Sequence, residues 1–261
     1  MPDTTPPPAR TTEAPPPEDG WRPDLSALRA RLDELDDKIH DLLMDRARVV
    51  ENVARSGKTA AFRPGREATI LRRLLARHTG KLPAHTLVRM WREMLAGTTA
   101  MQTRVTVATF GSNTIATIAR EHFGFLTPVV DYATVETALD AVRAGAATIA
   151  VLPFPTETAA WWDALTAATP RLHIVARLPF WADRPDHVPA ADALAVGLTA
   201  PDASGHDRSF IAAARGTDLK PVRTYGGIAE VEGLVAEDDP RLPAKAVVLG
   251  GYAIPAGGER L

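Results

Sequence analysis

From Leu28 the apolar side chains fall at Leu28, Leu32, Leu35, Ile39, Leu42, Val49 and Val53, in alternating steps of four and three, and the one position that breaks the run is Arg46. Such a stripe is the seam of a helix packed against other helices. It therefore aims a guanidinium into a core. An unpaired buried cation is expensive, and the stripe has no carboxylate of its own, so the partner is either an acidic side chain on another helix or an anionic ligand.

Composition narrows the choice. With 261 residues, 45% of them hydrophobic, and a net charge of -2, the chain can bury one large core or two modest ones and has no polyelectrolyte character. Nucleic acid is not implied as a partner. Without cysteine there is no disulfide framework or thiol nucleophile, and His40, His78, His85, His122, His173, His187 and His206 are too scattered for a metal motif. No apolar run approaches the roughly 20 residues of a membrane span, and no basic-then-apolar leader opens the sequence. The expectation is a cytoplasmic protein with neither metal nor cofactor.

Residues 1–22 hold two triple-proline runs among Thr, Ala, Glu and Asp, a disordered composition. Asp24, or Ser26, can cap a helix that runs to about Ser56, where Gly57 suits a left-handed C-cap. Pro64 in a first turn with Glu67 behind it starts a second helix, with Ile70, Leu71, Leu74 and Leu75 as its buried face and His78-Thr79-Gly80 as its stop. Pro83 opens a third, with Leu87, Trp91, Met94, Leu95, Thr98 and Gln102 facing inward. After Thr103 the pattern changes to strands at 105–108, 127–131, 147–152, 172–178 and 193–199, with helices at 114–123 and 134–144. The sequence thus reads as α then α/β: a tail at 1–22, a helical domain at 23–103 and an α/β domain at 104–261.

Three cations, Arg29, Arg46 and Lys58, lie along the first helix and its end; Arg66 and Glu67 begin the second, and Thr98 and Gln102 lie one turn apart on the third. Arg29 and Lys58 stand roughly 43 Å apart on a continuous helix, too far to share a small ligand within one chain. An antiparallel partner helix brings the start of one beside the middle of the other, which predicts an interlocked homodimer with two equivalent sites. A pocket with several cations, one carboxylate, a hydroxyl and an amide, but no nucleophile paired with a base, suits binding a dianion and stabilising charge that shifts within it.

Leu28-Arg29, Leu35-Asp36, Leu42-Leu43, Arg46, Arg66-Glu67, Thr98 and Gln102 together resemble the all-helical chorismate mutase family over about residues 25–102. The resemblance implies an intertwined dimer of three-helix chains that rearranges chorismate to prephenate. It assigns the substrate carboxylates to Arg46 and to Arg29 of the other chain, the ether oxygen to Lys58 and Gln102, and the ring hydroxyl to Glu67. Thr98 replaces a family serine, and Arg66 completes the cationic wall. A [3,3] rearrangement needs no acid, base or metal, only a compact conformer and donors where the carbon–oxygen bond breaks. Two departures stand out. Lys58 follows Arg46 by 12 residues where the family has 11, a helical rotation of about 120° instead of about 20°. Arg63 stands where relatives carry aspartate, a position whose contacts can use the main chain.

Residues 104–250 resemble, more weakly, a prephenate dehydratase domain, a two-lobed periplasmic-binding-like α/β fold. The resemblance rests on Val107-Ala108-Thr109-Phe110-Gly111, Val135-Glu136-Thr137-Ala138-Leu139, Val142-Arg143-Ala144-Gly145 and Val151-Leu152-Pro153. Asp207-Arg208-Ser209-Phe210 occupies the place of the Thr-Arg signature without the threonine. Phe154-Pro155-Thr156-Glu157-Thr158 replaces the Glu-Asn-Ser segment, and both losses argue against dehydratase chemistry. Gly111, Ser112 and Asn113, at a helix start, and Arg208 could hold carboxylates of an aromatic amino acid effector or of prephenate. The leading expectation is a chorismate mutase with a degenerate C-terminal domain. The alternatives are a bifunctional mutase/dehydratase, a non-enzymatic dimer carrying a ligand-sensing domain, and a mutase-like lyase acting on isochorismate.

Overall fold

The computed structural model describes residues 24–56, 62–156, 160–188, 190–213 and 218–257; the proline-rich segment 1–22, the Gly57 cap and Lys58 lie outside them. Helix α1 spans Leu25–Arg55, α2 Pro64–Ala76 and α3 Ala84–Ala100. Asp24 caps α1 as expected, its carboxylate accepting from the Ser26 N–H at 2.9 Å. By compactness the chain divides inside α1, into one unit up to Val49 and a second from Val50 to Leu261.

In the first unit the seam is open. No residue of α1 is buried, and Leu32 and Leu42 are 59% and 68% exposed. Each such side chain contributes about 1.5–3 kcal/mol when it is covered, so the segment carries a large unspent apolar surface.

In the second unit α2 and α3 pack on an α/β body, where Leu71 and Leu95 are buried as expected and the rest of each buried face differs from the one read in the sequence. Helix α3 buries Val88, Arg92, Leu95 and Thr99, and leaves Leu87, Trp91, Met94 and Thr98 half-buried and Gln102 exposed. The face is turned by about one residue, or 100°, because the body itself takes up one side of the helix. Helix α2 likewise buries Pro64, Gly65, Ala68 and Leu71, while Ile70, Leu74 and Leu75 are half-buried. Ala68, Leu71 and Val88 share a cluster with Phe180, Ala253 and Ala256 of the α/β body.

That body alternates β1 (Val107–Thr109), α4 (Asn113–Phe123), β2 (Val129–Asp131), α5 (Val135–Arg143) and β3 (Ile149–Pro153), and continues with β4 (His173–Leu178), β5 (Ala193–Gly197), β6 (Asp207–Ala212), β7 (Pro221–Tyr225), β8 (Ile228–Glu232) and β9 (Val247–Ala253). The strands form one nine-stranded sheet in the order β2-β1-β3-β5-β4-β9-β6-β8-β7. β1 pairs parallel with β2 and β3, which requires the crossovers that α4 and α5 supply. A Thr134–Thr137 capping box starts α5. The five strands and two helices expected after Thr103 are all present; β6 to β9 are additional.

The two halves of the sheet, β2-β1-β3-β5-β4 and β9-β6-β8-β7, meet where β4 pairs with β9 at Ile174 and Gly250. Gly250 has φ +121°, and a Cβ there would stand 2.2 Å from the Ile174 carbonyl oxygen and 2.6 Å from its nitrogen. No side chain fits between backbones so close. Gly250→Ala is expected to lower unfolding stability by about 3 kcal/mol in urea titration, and a loss below about 1 kcal/mol would contradict this account of the junction.

Candidate active site

The residues that the sequence nominated fall at three places. Arg29 and Arg46 lie on α1 in the first unit, Arg29 exposed and Arg46 half-buried, with burial holding the Arg46 pKa below its ordinary value. Arg63, Arg66 and Glu67 begin α2, Thr98 lies in the last turn of α3, and Gln102 follows just beyond it. Lys58 is outside the described residues.

Helix α2 is held at its start by a residue that the sequence did not nominate. Arg63 is the N-cap and its side chain makes no capping bond. Asp202 does so from far along the chain: its Oδ1 accepts from the Gly65 N–H at 2.9 Å and its Oδ2 from the Arg66 N–H at 3.1 Å. The same Oδ2 lies 3.3 Å from Arg63 Nη2.

Glu67 turns inward. Arg92 Nη1 donates to its Oε2 at 2.7 Å, and the guanidinium lies 5.0 Å over the Phe180 ring. Burial pushes the Glu67 carboxyl up and the Arg92 guanidinium down, and each partner opposes the other's shift. Such a pair is costly to break from one side, so Arg92 fixes where the Glu67 carboxylate points. Its signal in the sequence was the four-and-three spacing Val88, Arg92, Leu95, Thr99, a second stripe with a cation inside it.

Thr98 Oγ1 donates to the carbonyl oxygens of Met94 at 3.0 Å and Leu95 at 3.1 Å, and Gln102 Nε2 donates to the Thr98 carbonyl at 3.1 Å. Arg63 and Gln102 line one cavity of about 540 Å³, together with Thr103, Thr148, Thr199 and Asp202. Beside Glu67 a far smaller void of about 20 Å³ is lined by Phe62, Thr99, His122 and Phe123, room for about one water. Among the described residues neither ring nitrogen of buried His122 has a hydrogen-bond partner.

In the α/β body, Gly111-Ser112-Asn113 opens α4 as expected, with Gly111 at φ +118°. Arg208, nominated beside that loop as an effector ligand, makes its ion pairs on β8 instead, to Glu230 at 3.3 Å and Glu232 at 3.1 Å. Fully buried Glu230 also accepts from Tyr252 Oη, and from Tyr225 Oη at 3.1 Å. Arg177 donates to both oxygens of Asp192, at 3.1 and 2.8 Å, and lies 4.7 Å over Phe154, whose ring meets Phe210 and Tyr225. Burial opposes the Arg177 charge, yet its bonds to Asp192 and Tyr252 outweigh that and raise its pKa. Arg208 and Phe154, at the places of the Thr-Arg signature and the Glu-Asn-Ser segment, thus belong to an internally paired aromatic and ionic cluster, while Glu157 and Thr158 lie outside the described residues. No group of His, Asp and Glu among the described residues could hold a metal ion.

Comparison with known proteins decides the character of the helical segment. Residues 28–103 match the family model described as chorismate mutase type II. They form a chorismate mutase type II domain. The bifunctional chorismate mutase/prephenate dehydratase of Pseudomonas aeruginosa is 32% identical over 144 residues, covering 51% of this chain and 40% of its own length. That of Stutzerimonas stutzeri is 33% identical over 145 residues with the same coverage. The chain therefore spans less than half the length of these relatives. A match to 51% of 261 residues is nonetheless longer than everything up to Thr103, so it reaches into the α/β half. Among solved structures, the prephenate dehydratases of Arthrobacter aurescens, in complex with L-Phe, and of Streptococcus mutans are each 15% identical, with TM-scores of 0.41 and 0.36. They cover 60% and 58% of this chain, and 92% and 99% of their own.

His122 gives the mutase domain a measurable pH signature where it rests on α4. Burial, reinforced by the nearby Arg92 charge, holds its imidazole well below the ordinary range, against surroundings that also include Glu67 and, near Arg92, Glu121. The unfolded chain takes up a proton near pH 6.5 that the folded chain refuses. This residue therefore removes up to about 1.4 kcal/mol of stability per pH unit as pH falls from about 6.5 to the folded pKa. His122→Phe is expected to flatten the stability profile between about pH 7.5 and 5 in urea titrations, whereas parallel wild-type and variant curves would contradict the assignment.

Proposed function

We propose that this protein isomerises chorismate to prephenate by an electrostatically stabilised [3,3] rearrangement, as a step of aromatic amino acid biosynthesis in the cytoplasm. The observation that carries the reading is the chorismate mutase type II match over residues 28–103, which encloses a cation at Arg46 on an otherwise apolar seam. The reaction gains its rate from donors placed where charge develops, and the domain supplies them without nucleophile or cofactor. Arg46, with Arg29 of the other copy, takes the substrate carboxylates, Thr98 lies near one of them, and Arg66 completes the cationic wall. Lys58 and Gln102 donate to the ether oxygen as the carbon–oxygen bond lengthens. Glu67, oriented by Arg92, accepts from the ring hydroxyl, and Arg63 contributes to binding.

The exposed seam of α1 supports a homodimer in which the long helices of two copies cover each other. In that arrangement Arg29 reaches the site of the other copy, so neither chain holds a complete site alone. Residues 23–103 then act as the mutase domain and residues 104–261 as its companion, with an aromatic amino acid as a candidate effector.

A second reading, a bifunctional mutase and prephenate dehydratase, is favoured by the activities for which the relatives are named and by a match that extends beyond Thr103. Against it stand the commitment of Arg208 to Glu230 and Glu232, and Phe154 in place of a polar segment.

One assay separates the readings: chorismate is supplied to the purified chain, and prephenate and phenylpyruvate are both quantified. Prephenate without phenylpyruvate is expected of the mutase, and both products of the bifunctional enzyme. Failure to consume chorismate, with or without turnover of isochorismate, would contradict both readings. Arg46→Ala is expected to lower kcat/KM by at least about 100-fold, roughly 2.7 kcal/mol of transition-state stabilisation.

A further inference from the structure

We propose that Asp202, in the loop between β5 and β6, is a positioning residue for the mutase site, so that the α/β body is a working part of that site. The inference rests on the functional reading above for the roles of Arg63, Arg66 and Glu67. What it adds is a residue outside the mutase match that sets where those three stand.

The contact is built for closeness. Gly65 has no room for a side chain: a Cβ there would lie 2.0 Å from the Asp202 carbonyl oxygen and 2.8 Å from its carbonyl carbon. With the two backbones touching, both carboxylate oxygens reach the first-turn N–H groups of Gly65 and Arg66, and one also meets the Arg63 guanidinium. Local sequence supplies no cap of its own, since the N-cap residue is an arginine. The first turn of α2 is therefore oriented by a residue 137 positions away.

A second fastening holds the same loop. Arg72, two turns further along α2, donates to Ser204 Oγ at 2.7 Å, to the His206 carbonyl at 2.9 Å and to the Ile254 carbonyl at 2.7 Å. Asp207 ties the loop to itself by accepting from the Ser204 and Gly205 N–H groups at 2.9 and 3.1 Å. Between the two fastenings lies Glu67, whose carboxyl is pushed up by burial first, is opposed by Arg92, and receives a smaller upward push from the Asp202 charge. Asp202 thus sets the place of the helix start and adds to the field at Glu67. A residue that only stabilised the fold would do neither selectively.

The test is steady-state kinetics of the full chain with chorismate, as kcat and KM across about pH 4.5–8, for wild type, Asp202→Asn and Arg72→Gln. Asp202→Asn keeps the size of the side chain and removes the charge. It is expected to lower kcat/KM by about tenfold and to move the acid limb of the profile to lower pH. Arg72→Gln cuts only the second fastening and is expected to lower the melting temperature without moving the acid limb. If circular dichroism shows Asp202→Asn unfolded, Asp202→Glu replaces it: the charge stays and the carboxylate shifts by one methylene, so kcat/KM falls with the acid limb unmoved. Wild-type kinetics and acid limb in the folded variant overturn the proposal while leaving the mutase reading intact. A wild-type chain that does not consume chorismate overturns both.

Discussion

Among the described residues the apolar face of α1 is exposed, and that is the constraint from which the rest follows. Along α1 the seam from Leu28 to Val53 stays exposed within a single chain, and isolated helices are marginal in water, so this element draws its stability from whatever covers it. A face that repeats every seven residues along one helix is complementary to itself in the antiparallel sense, which makes a second copy the natural cover. Arg46 interrupts that face, so covering the seam also closes space around a cation. On the proposed reading assembly and substrate binding are coupled, since a second copy that covers the seam also encloses Arg46.

The other two helices answer to a different neighbour. α2 and α3 each bury one face on the α/β body, through Ala68, Leu71 and Val88, and keep a second face half-covered that carries Thr98 and the nominated apolar residues. Glu67 and Arg92 lie on the buried side, and Asp202 grips the start of α2 from the same direction. Residues 28–103 match the chorismate mutase type II model, but α2 and α3 pack on the body that follows them. That body has closed around its own charges: Glu230, Arg208, Arg177, Tyr225 and Tyr252 satisfy one another among aromatic rings. A polar network of this kind is stable when every member is paired, and it holds the arginine that a dehydratase reading would have called upon.

Local signals were legible in the sequence. Asp24, Pro64 and Pro83 mark the helix starts, and apolar runs mark β1 to β5, because caps and periodicity act over a few residues. β6 to β9 were hidden: Asp207, Arg208 and Glu230 interrupt the alternation with buried or half-buried charge, Gly250 and Gly251 interrupt β9, and β7 is an exposed edge. Leu71 on α2 and Leu95 on α3 are buried as expected, but the centre of the α3 face lies about one residue away from the one read, because periodicity reports that a face is covered, not which of two neighbours covers it. Arg92 and Asp202 escaped notice for a related reason. Their meaning lies in partners on other elements, Glu67 and the start of α2, which no local pattern names.

The claim that two copies share each site can be put to a single measurement, mutase activity in a mixture of two inactive variants. Arg29→Ala and Arg46→Ala are each expected to be nearly inactive alone. Mixed one to one and allowed to exchange, half of the dimers pair one variant with the other, and one of the two sites in each such dimer holds both wild-type arginines; activity is expected to rise to about a quarter of wild type. A mixture no more active than its components, despite proven exchange, would contradict a site built across two chains.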